Sequence, residues 1–491
     1  MSIYQLFHLR PESEYSLQKQ IRAQIVTAIR SGHIPVDKPL PSSRGLAKQL
    51  NVARNTVILA YEHLLEDGYL ISRQRSGYFV NPDILDGSVS GDVIPKNTDS
   101  VNGPDWEQRF KSRPSIQQNI RKPRDWQDYQ YPFAYGQLDA TLFPTNNWRE
   151  CCRDAVSVGA IRDWATDHFD NDDPMLIEQI HTRLLPRRGI WADPEQILLT
   201  VGAQHALYMV VRLLLDGTSK LGLENPGYVD IRNIATLNPA KIKPLRVDAN
   251  GLMIDDNIND CDCVFVTPSH QSPTTVTMPI ERRYELLKRA ADSDIILIED
   301  DYESEINYAT SPSPALKSLD QNDRVLYIGS LSKTLAPGLR MGYVVGPVAI
   351  INELRALRRL MLRHPAANNQ RSVALFLARG YHDTLTRNLV HAYQQRSATM
   401  KQALDRYLPE LPQRPGFGGS SCWIKGPEDM NACELQRRAA EEGILIEPGD
   451  IHFLADKPPL NYFRLGFSSI ANDRIEPGIE QLARLVNELA G

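Results

Sequence analysis

Hydrophobic positions in the first 80 residues recur at helical spacing and then in alternation. Three stretches have the period of about 3.6 residues expected of helices with one buried face. Two later stretches alternate as half-buried strands do. These elements are predicted at 16–30, 43–50, 55–65, 69–72 and 77–80. Gly32 is a stop signal for the first helix, and Ser42 or Ser43 can cap the second.

A short turn from Asn51 to Arg54 joins the second and third helices, and a basic loop at 73–76 joins the strands. This order is that of a winged helix-turn-helix, whose recognition helix presents its N-terminal end to base edges and phosphates. Arg54, Asn55 and Thr56 stand at that end. Each piece alone is more often an ordinary solvated surface, but the ordered set predicts DNA binding.

Beyond residue 130 the hydrophobic pattern changes to that of buried parallel strands alternating with helices. Four apolar runs stand out, at 197–201, 263–267, 295–299 and 324–328. Strands buried on both faces read as nearly continuous apolar runs, so these four predict an α/β sheet. In such a sheet the ligand site lies at the carboxyl ends of the strands.

Between these parts, residues 83–130 are rich in turn formers and show no sustained periodicity, which indicates a linker. A flexible chain of this length spans on the order of 40 Å. Trp106, Phe110 and Trp126 leave open whether the later part packs on the body. The predicted organisation is therefore a DNA-binding domain at 1–82, a linker at 83–130 and a body at 131–491.

Charge and composition support this division. The chain of 491 residues carries a net charge of −5, yet residues 1–82 carry +4 and the rest −9, the sign that contact with phosphates requires. The six cysteines lack Cys-x-x-Cys pairs, so no metal site is predicted and reduced thiols are expected. Neither a signal peptide nor a membrane span is indicated, and a cytoplasmic location is expected.

Two motifs in the body could hold a ligand but are weak signals on their own. Thr200-Val-Gly-Ala-Gln-His ends a strand in a small-residue turn before a helix, where free backbone N–H groups suit a phosphate. Most such turns serve packing alone. Glu224-Asn-Pro-Gly-Tyr228 places an aromatic ring on a tight turn, and a lone tyrosine there is more often a surface or core residue.

A third motif, Ile298-Glu-Asp-Asp-Tyr302, ends a buried strand with three carboxylates. Carboxylates in such a position must be solvated or paired with a cation, because an isolated buried charge is too costly. A pyridinium N–H is one such cation, which would make Asp300 its partner and place Tyr302 near a phenolic oxygen of the same ring. The alternative is an N-cap cluster for the following helix.

A fourth motif, Ser330-Leu-Ser-Lys333, also follows an apolar strand, with Arg340 seven residues further on. Lysine forms a reversible imine with an aldehyde, and serine with a nearby arginine supplies a clamp for phosphate. Most lysines merely solvate a surface, but few follow a buried strand in this pattern. Lys333 is therefore the predicted attachment point of an aldehyde cofactor.

The N-terminal part resembles the winged helix-turn-helix of the GntR family. The resemblance rests on Leu40-Pro-Ser-Ser-Arg-Gly-Leu-Ala-Lys-Gln-Leu50, Arg54-Asn-Thr-Val57 and Tyr61-Glu-His-Leu-Leu-Glu-Asp-Gly-Tyr-Leu70, and it covers nearly all of 14–80. It implies double-stranded operator DNA as a partner. The implied DNA contacts are Ser43, Arg44, Arg54, Asn55, Thr56, Arg75 and Gly77.

The body resembles the aminotransferase fold of pyridoxal-phosphate enzymes over roughly 131–490, with a large and a small α/β domain. The resemblance implies pyridoxal 5'-phosphate as cofactor, bound to Lys333 as a Schiff base. It assigns the phosphate to Gly202, Ala203, Gln204, Ser330 and Arg340. It assigns ring stacking to Tyr228, the ring nitrogen to Asp300 and the phenolic oxygen to Tyr302. Arg464, in Tyr462-Phe-Arg-Leu-Gly-Phe-Ser468, is similar to an arginine that grips a substrate carboxylate.

The two parts in this order resemble the MocR branch of the GntR regulators, of which GabR is the familiar type. The stretches 135–144 with Trp148, and 267–274, are similar to that branch as well. Four positions depart from the pattern. Thr275 and Ser272 replace a glycine and an aromatic residue, Val201 replaces a serine, and Asp230 stands where GabR-like chains have arginine. The last departure argues against simply transferring GABA as the effector.

The resemblance implies a regulator that senses a small amino compound through imine exchange at Lys333, as a head-to-tail homodimer. An active aminotransferase is the second alternative, because all the residues that would bind the cofactor are present in the sequence. A regulator that senses pyridoxal phosphate itself is the third alternative. The sequence does not identify the effector, the regulated genes or the sign of regulation.

Overall fold

The computed structural model describes residues 7–10, 12–13, 15–74, 76–84, 104–167, 170–308, 313–411 and 419–490. The chain divides into two compact units, Met1–Arg109 and Phe110–Gly491. Each has its own hydrophobic core. Within the described ranges, no helix combines the length and the apolar character needed to cross a membrane.

The first unit contains the elements predicted for a winged helix-turn-helix, with bounds within about two residues of those expected. They are α1 (Leu17–Arg30), α2 (Ser43–Leu50), α3 (Arg54–Glu66), β1 (Leu70–Arg73), β2 (Gly77–Val80) and the short α4 (Trp106–Arg109). Ser16 and Ser42 cap α1 and α2 through their side-chain oxygens. Strands β1 and β2 pair antiparallel, which gives the hairpin expected of a wing.

Packing of α1 against α3 forms the core of the first unit, with Ile25, Ala60 and Leu64 fully buried. Tyr61 is buried too, and its hydroxyl donates to the backbone oxygen of Pro41 at 2.8 Å. This bond fixes the start of α2 on α3. Asn51 ends α2 in the left-handed region, at φ 53°, a conformation that asparagine tolerates better than most residues.

The second unit alternates strands and helices through most of its length. Its elements are β3 (Tyr131–Pro132), α5 (Thr145–Ala155), α6 (Val158–Trp164), α7 (Pro174–Gln179), β4 (Ile197–Thr200), α8 (Gly202–Leu214), β5 (Lys220–Asn225), α9 (Val229–Leu237), β6 (Lys241–Asp248), β7 (Gly251–Leu252), β8 (Cys263–Val266), α10 (Ile280–Asp292), β9 (Ile296–Asp300), α11 (Leu316–Leu319), β10 (Val325–Ser330), β11 (Gly342–Val345), α12 (Val348–Leu362), α13 (Ala367–Ala378), α14 (Tyr381–Tyr407), β12 (Ser421–Lys425), α15 (Ala432–Glu441), β13 (Ile444–Leu445), β14 (Glu447–Pro448), β15 (Tyr462–Gly466) and α16 (Asn472–Ala490).

Eight strands of the described chain form the central sheet, in the order β4-β11-β10-β9-β8-β5-β6-β7. The run from β10 to β6 is parallel, whereas β11 runs antiparallel to both of its neighbours. Strands β4, β8 and β11 are buried along their whole length, as expected for a sheet covered on both faces. The predicted α/β sheet is confirmed, and its parallel strands bring their carboxyl ends to one edge.

A second, smaller sheet has the order β12-β15-β14 and pairs antiparallel throughout. Glu447 on β14 lies directly opposite Arg464 on β15. Because side chains of directly opposed residues lie on the same face of a sheet, this register sets a carboxylate beside a guanidinium. The smaller sheet thereby contributes a charged pair to the site described below.

Part of the segment between the predicted domains packs on the second unit. The side-chain amide of Gln117 donates to the backbone oxygen of Asn233 on α9 at 2.9 Å. The side-chain amide of Asn233 in turn donates to the backbone oxygen of Gln118 at 2.8 Å. Of the two possibilities that the sequence leaves open for the later part of 83–130, packing on the body is the one that these contacts support.

Replacing Leu64 with alanine is expected to destabilise the first unit selectively. The fully buried side chain leaves a cavity between α1 and α3, at a cost of about 2–5 kcal/mol. Hydrogen exchange of the amides in α1 and α3 should accelerate, while exchange in the central sheet of the second unit stays unchanged. Leu59→Ala is the matched control, because Leu59 lies on α3 with 46% exposure. Equal effects of the two variants would contradict this core assignment.

Candidate functional site

A cavity of about 350 Å³ lies at the carboxyl ends of β4, β5, β9 and β10. Its volume is within the range of small-molecule sites in proteins. Nine of the residues predicted from the sequence line it: Ala203, Gln204, Tyr228, Asp300, Tyr302, Ser330, Lys333, Arg340 and Arg464. Gly202 lies against Arg340 at the same edge. The fold therefore brings together every residue that was predicted for the cofactor and for the acid group.

Lys333 follows β10 and directs its amine into the cavity. The Nζ atom lies 4.3 Å from the centre of the Tyr135 ring. It also occupies the space that a Cβ on Gly136 would need, and Gly136 has a left-handed φ of 68°. Burial lowers the pKa of Lys333, whereas the carboxylate of Glu303 raises it. A buried amine with a lowered pKa is more readily the neutral nucleophile that attacks an aldehyde.

The three carboxylates at the end of β9 lie in three different environments. Glu299 accepts the backbone N–H groups of Leu316 and Lys317 at 2.7 and 2.8 Å, so it caps α11. Asp301 pairs with Arg188 at 2.7 Å and accepts the hydroxyl of Tyr327 at 2.8 Å. The N-cap interpretation therefore applies to Glu299 but not to its neighbours.

Asp300 is the carboxylate that faces the cavity. Its Oδ1 atom is buried and has no hydrogen-bond partner among the described residues. Burial, and then the charge of Asp301, raise the pKa of Asp300 to about 7. A buried carboxylate without a partner is costly. A ring N–H placed in the cavity would satisfy it, and the protonated ring nitrogen of a pyridine fits this requirement.

The start of α8 brings together several groups that can donate to an anion. Val201 precedes the helix without side-chain capping, and Gly202 has a φ of 77°. A Cβ on Gly202 would come within 2.9 Å of Nη2 of Arg340, which itself donates to the backbone oxygen of Val201 at 3.3 Å. Helix N–H groups, the hydroxyl of Ser330 and a guanidinium are the donors that a phosphate requires.

Tyr228 and Asp230 form a hydrogen-bonded pair at one wall. The Tyr228 hydroxyl donates to Oδ2 of Asp230 at 2.9 Å. Burial and the charge of Asp230 raise the pKa of Tyr228 well above its ordinary value. Its ring is close to parallel with that of Phe265, at an angle of 28° and a centroid distance of 6.4 Å. Asp230, a departure from the GabR-like pattern, thus replaces a cation at this wall with a phenol-bound carboxylate.

Arg464 is buried and already paired. Its Nη2 donates to Oε1 of Glu447, and its guanidinium carbon lies 3.7 Å from the centre of the Tyr135 ring. Glu447 also lies 3.2 Å from Nε2 of His452, whose Nδ1 is 3.0 Å from the backbone oxygen of Gly227. A ligand acid group that reached Arg464 would have to share it with Glu447.

Two further departures line or support the cavity. Thr275 occupies the left-handed region, at φ 62°. The glycine of the family pattern adopts this conformation without strain, whereas a β-branched residue such as threonine is strained there. Ser272 lines the cavity, and its backbone N–H donates to Oγ1 of Thr267 at 3.0 Å.

Lys122, Tyr135 and Glu447 also line the cavity, and sequence reasoning did not assign them a role. A role for Tyr135 could have been predicted, because this residue begins the stretch 135–144 that is similar to the MocR branch. Glu447 could have been found only through its register with Arg464. Lys122 gave no signal, since a lone lysine in a segment without periodicity looks like an ordinary solvated residue.

The predicted DNA contacts cluster at the start of α3. Arg54 and Asn55 are exposed and Thr56 is half-buried, while α3 begins after Ala53 without a side-chain cap. Nε of Arg54 lies 3.5 Å from Oγ of Ser43, which begins α2. A polar, basic surface therefore surrounds the helix end that would meet phosphates and base edges.

The remaining predicted contacts lie at both sides of that surface. Arg44 is exposed on α2, and Gly77 begins β2 with a φ of 102°. Arg75 lies outside the described residues.

Comparison with protein families matches a different family to each of the two units of the structure. A model of bacterial regulatory proteins of the gntR family matches residues 17–80, and a model of aminotransferase class I and II matches residues 165–482. The chain is 39% identical to the HTH-type transcriptional regulator TauR of Rhodobacter capsulatus, over 97% of this chain and 98% of that protein. It is 28% identical to the probable rhizopine catabolism regulatory protein MocR of Rhizobium meliloti, over 96% and 94%.

Among solved structures, the chain is similar to a kynurenine aminotransferase of Pyrococcus horikoshii in complex with PMP. The TM-score is 0.70 at 25% identity, and the match covers 78% of this chain and 98% of the enzyme. Fold and site thus define a DNA-binding unit followed by an aminotransferase fold with a pocket suited to pyridoxal phosphate. The chain belongs to the MocR/GabR-like branch of the GntR family of transcriptional regulators.

Without cofactor, the second unit is expected to lose stability as pH rises. The folded-state pKa of Asp300 is about 7, against an ordinary value of 3.8, so the folded state binds its proton more tightly. This contribution is fully present below about pH 4 and is lost as pH rises through about 7. Asp300→Asn should therefore raise stability at pH 8, relative to pH 5, by on the order of a few kcal/mol.

Thermal unfolding of the cofactor-free protein between pH 5 and pH 8 measures this difference. Asp230→Asn is the control, because that carboxylate lies in the same cavity but is bonded to Tyr228. An unchanged pH slope in Asp300→Asn would show that Asp300 is not the protonated group.

Proposed function

We propose that this regulator binds a small amino compound through pyridoxal phosphate held at Lys333, and that binding changes its affinity for operator DNA. One observation carries the proposal. A lysine amine and an unpartnered carboxylate, Asp300, line one cavity in a chain whose other unit is a winged helix-turn-helix. In such a chain the attached cofactor serves to recognise a ligand, and the binding of that ligand alters the affinity for DNA.

The side chains around the cavity have separate tasks in this proposal. Bound pyridoxal phosphate supplies an aldehyde that reacts reversibly with primary amines. Lys333 would hold that aldehyde, and its amine would be released if another primary amine took its place. Asp300 would hold the proton on the ring nitrogen, Tyr302 would meet the phenolic oxygen, and Tyr228 would stack on the ring. Arg340, Ser330 and the start of α8, at residues 202–204, would bind the phosphate.

Regulation requires that the effector favour one arrangement of the protein over another. A ligand with equal affinity for two states changes no population, so the effector must bind one state more tightly. Release of the Lys333 amine beside Tyr135 provides such a difference, because the amine loses its bond to the cofactor and then lies in a buried site. In this proposal the protein acts in the cytoplasm as a head-to-tail homodimer on two half-sites, and the effector carries an acid group near Arg464.

Catalytic turnover is the second candidate function. It is favoured by the complete set of cofactor-binding side chains in the cavity and by the similarity to an aminotransferase structure. Repeated turnovers with an amino donor and a keto acid would identify an enzyme. A single, stoichiometric change in cofactor absorbance that accompanies a change in DNA affinity supports the sensor.

Lys333→Ala is expected to abolish the effector response while leaving DNA binding intact. Without the lysine amine the cofactor has no covalent bond to the protein, so an added amine has no such bond to exchange. Absorbance of the bound cofactor and operator affinity, each measured with and without candidate amines, test this expectation. An amine-dependent change in DNA affinity that persists in Lys333→Ala would overturn the proposed mechanism.

Arg54→Ala is expected to weaken operator binding by about 1–3 kcal/mol if Arg54 contacts a base. If it contacts a phosphate, the salt dependence of binding should fall by about one ion. Operator titrations at several salt concentrations distinguish the two cases. Arg30→Ala, in the last turn of α1, is the matched control. Cofactor absorbance should stay as in the wild type, and unchanged DNA affinity would exclude Arg54 from the interface.

A further inference from the structure

Lys122 is a cation in the cavity wall to which no role has been assigned. Its Nζ donates to the backbone oxygen of Tyr135 and lies 5.7 Å from the centre of that tyrosine ring. Burial, and then the nearby charge of Lys333, lower the pKa of Lys122 to about 8. Lys122 is therefore a half-buried amine whose protonated form is poorly stabilised by its present neighbours.

The chain around Lys122 is held in place. Gln117 and Gln118 exchange hydrogen bonds with Asn233 on α9, and the side chain of Asn233 also donates to Oδ1 of Asn119 at 2.9 Å. Three residues further on, Lys122 enters the cavity wall together with Ile120. The clamp on α9 fixes the backbone, so the Lys122 amine is positioned by the fold and is not a freely moving surface charge.

Lys122 has no carboxylate partner that it does not share with another cation. Glu447 lies near enough to raise the pKa of Lys122, but its Oε1 already accepts from Arg464 and lies 3.2 Å from His452. In the proposed function, Lys333 is bonded to the cofactor and Arg340 faces the phosphate. Of the other carboxylates that line the cavity, Asp230 accepts from Tyr228 and Asp300 is assigned to the ring nitrogen. Lys122, Arg464 and Glu447 then together carry one positive charge.

The amines of Lys122 and Lys333 are close neighbours. A Cβ on Gly136 would clash with Nζ of Lys333 and would lie 3.8 Å from Nζ of Lys122. If the nitrogen of an amino compound takes the place of the Lys333 amine, Lys122 is therefore within reach of a short substituent. A single anionic group on a short substituent would neutralise the uncompensated charge and would replace the neutral carbonyl of Tyr135 as the partner of Lys122.

We propose that Lys122 binds the acid group of the effector and makes the sensor selective for short amines with one anionic group. This inference rests on the proposed function, because it presupposes that an amine reaches the cofactor. Arg464 shares the acid group, but its own charge is compensated by Glu447. Lys122 therefore sets the preference for acidic over neutral amines.

Matched probe amines test the proposal on the full-length protein loaded with cofactor. 3-Aminopropionate and propylamine share a three-carbon chain and differ in the acid group, and alanine carries its acid group beside the amine. The change in cofactor absorbance on titration gives the apparent Kd of each. Lys122→Met should raise the Kd of the preferred acidic amine by about tenfold or more and leave that of propylamine unchanged. Lys122→Arg should restore most of the preference.

Lys111→Met serves as the control, since Lys111 is an exposed lysine of the same segment. Unaltered absorbance of the bound cofactor before any amine is added shows that the variants are folded and loaded. Equal Kd values of the acidic amines in wild type and Lys122→Met, or an equal loss for propylamine, would overturn the role of Lys122. A wild-type absorbance that no amine changes would overturn the proposed function itself, and this inference with it.

Discussion

The buried ion pair between Arg188 and Asp301 is the interaction on which the architecture of the site depends. Arg188 holds Asp301 at 2.7 Å and also donates to Oγ of Ser269 and to the backbone oxygen of Ser313. One guanidinium thereby ties together the chain after β8, the end of β9 and the chain before α11. Removing one partner of such a pair costs roughly 3–5 kcal/mol, because the other charge stays buried. Asp301 is engaged in this pair, whereas its neighbour Asp300 lines the cavity.

At the edge of the central sheet that holds the cavity, acidic groups and hydrogen-bond donors lie on different elements. Asp300 at the end of β9 lines the cavity, Ala203 and Gln204 at the start of α8 line it near Arg340, and the smaller sheet supplies the Arg464–Glu447 pair. Each group is fixed by secondary structure, which is more exact than placement on a mobile loop. An uncompensated charge in a half-buried wall is costly, so charge balance constrains which ligands such a pocket can bind.

Much of this arrangement could be predicted from local patterns. The helices and hairpin of the first unit follow from periodicity and caps, and the ends of β4, β9 and β10 carry motifs with distinct chemistry. Strands β5 and β6 were not predicted, because their sequences mix lysine, glutamate and proline with apolar residues. The sequence singled out Asp300 but did not reveal the partners of Glu299 and Asp301, because those partners come from residues that are distant in the chain. The pairing of Arg464 with Glu447 depends on register between strands, which local patterns do not specify.

The clamp between Asn233 and residues 117–119 has a practical consequence for transplanting this sensor. The chain that leaves the DNA-binding unit becomes part of the pocket wall before the first strand of the body begins. A chimaera joined at residue 131, where the hydrophobic pattern of the body starts, would discard Ile120 and Lys122 together with the clamp. A fusion to a different DNA-binding head must instead keep the native chain from about Phe110, so that the wall of the pocket is complete.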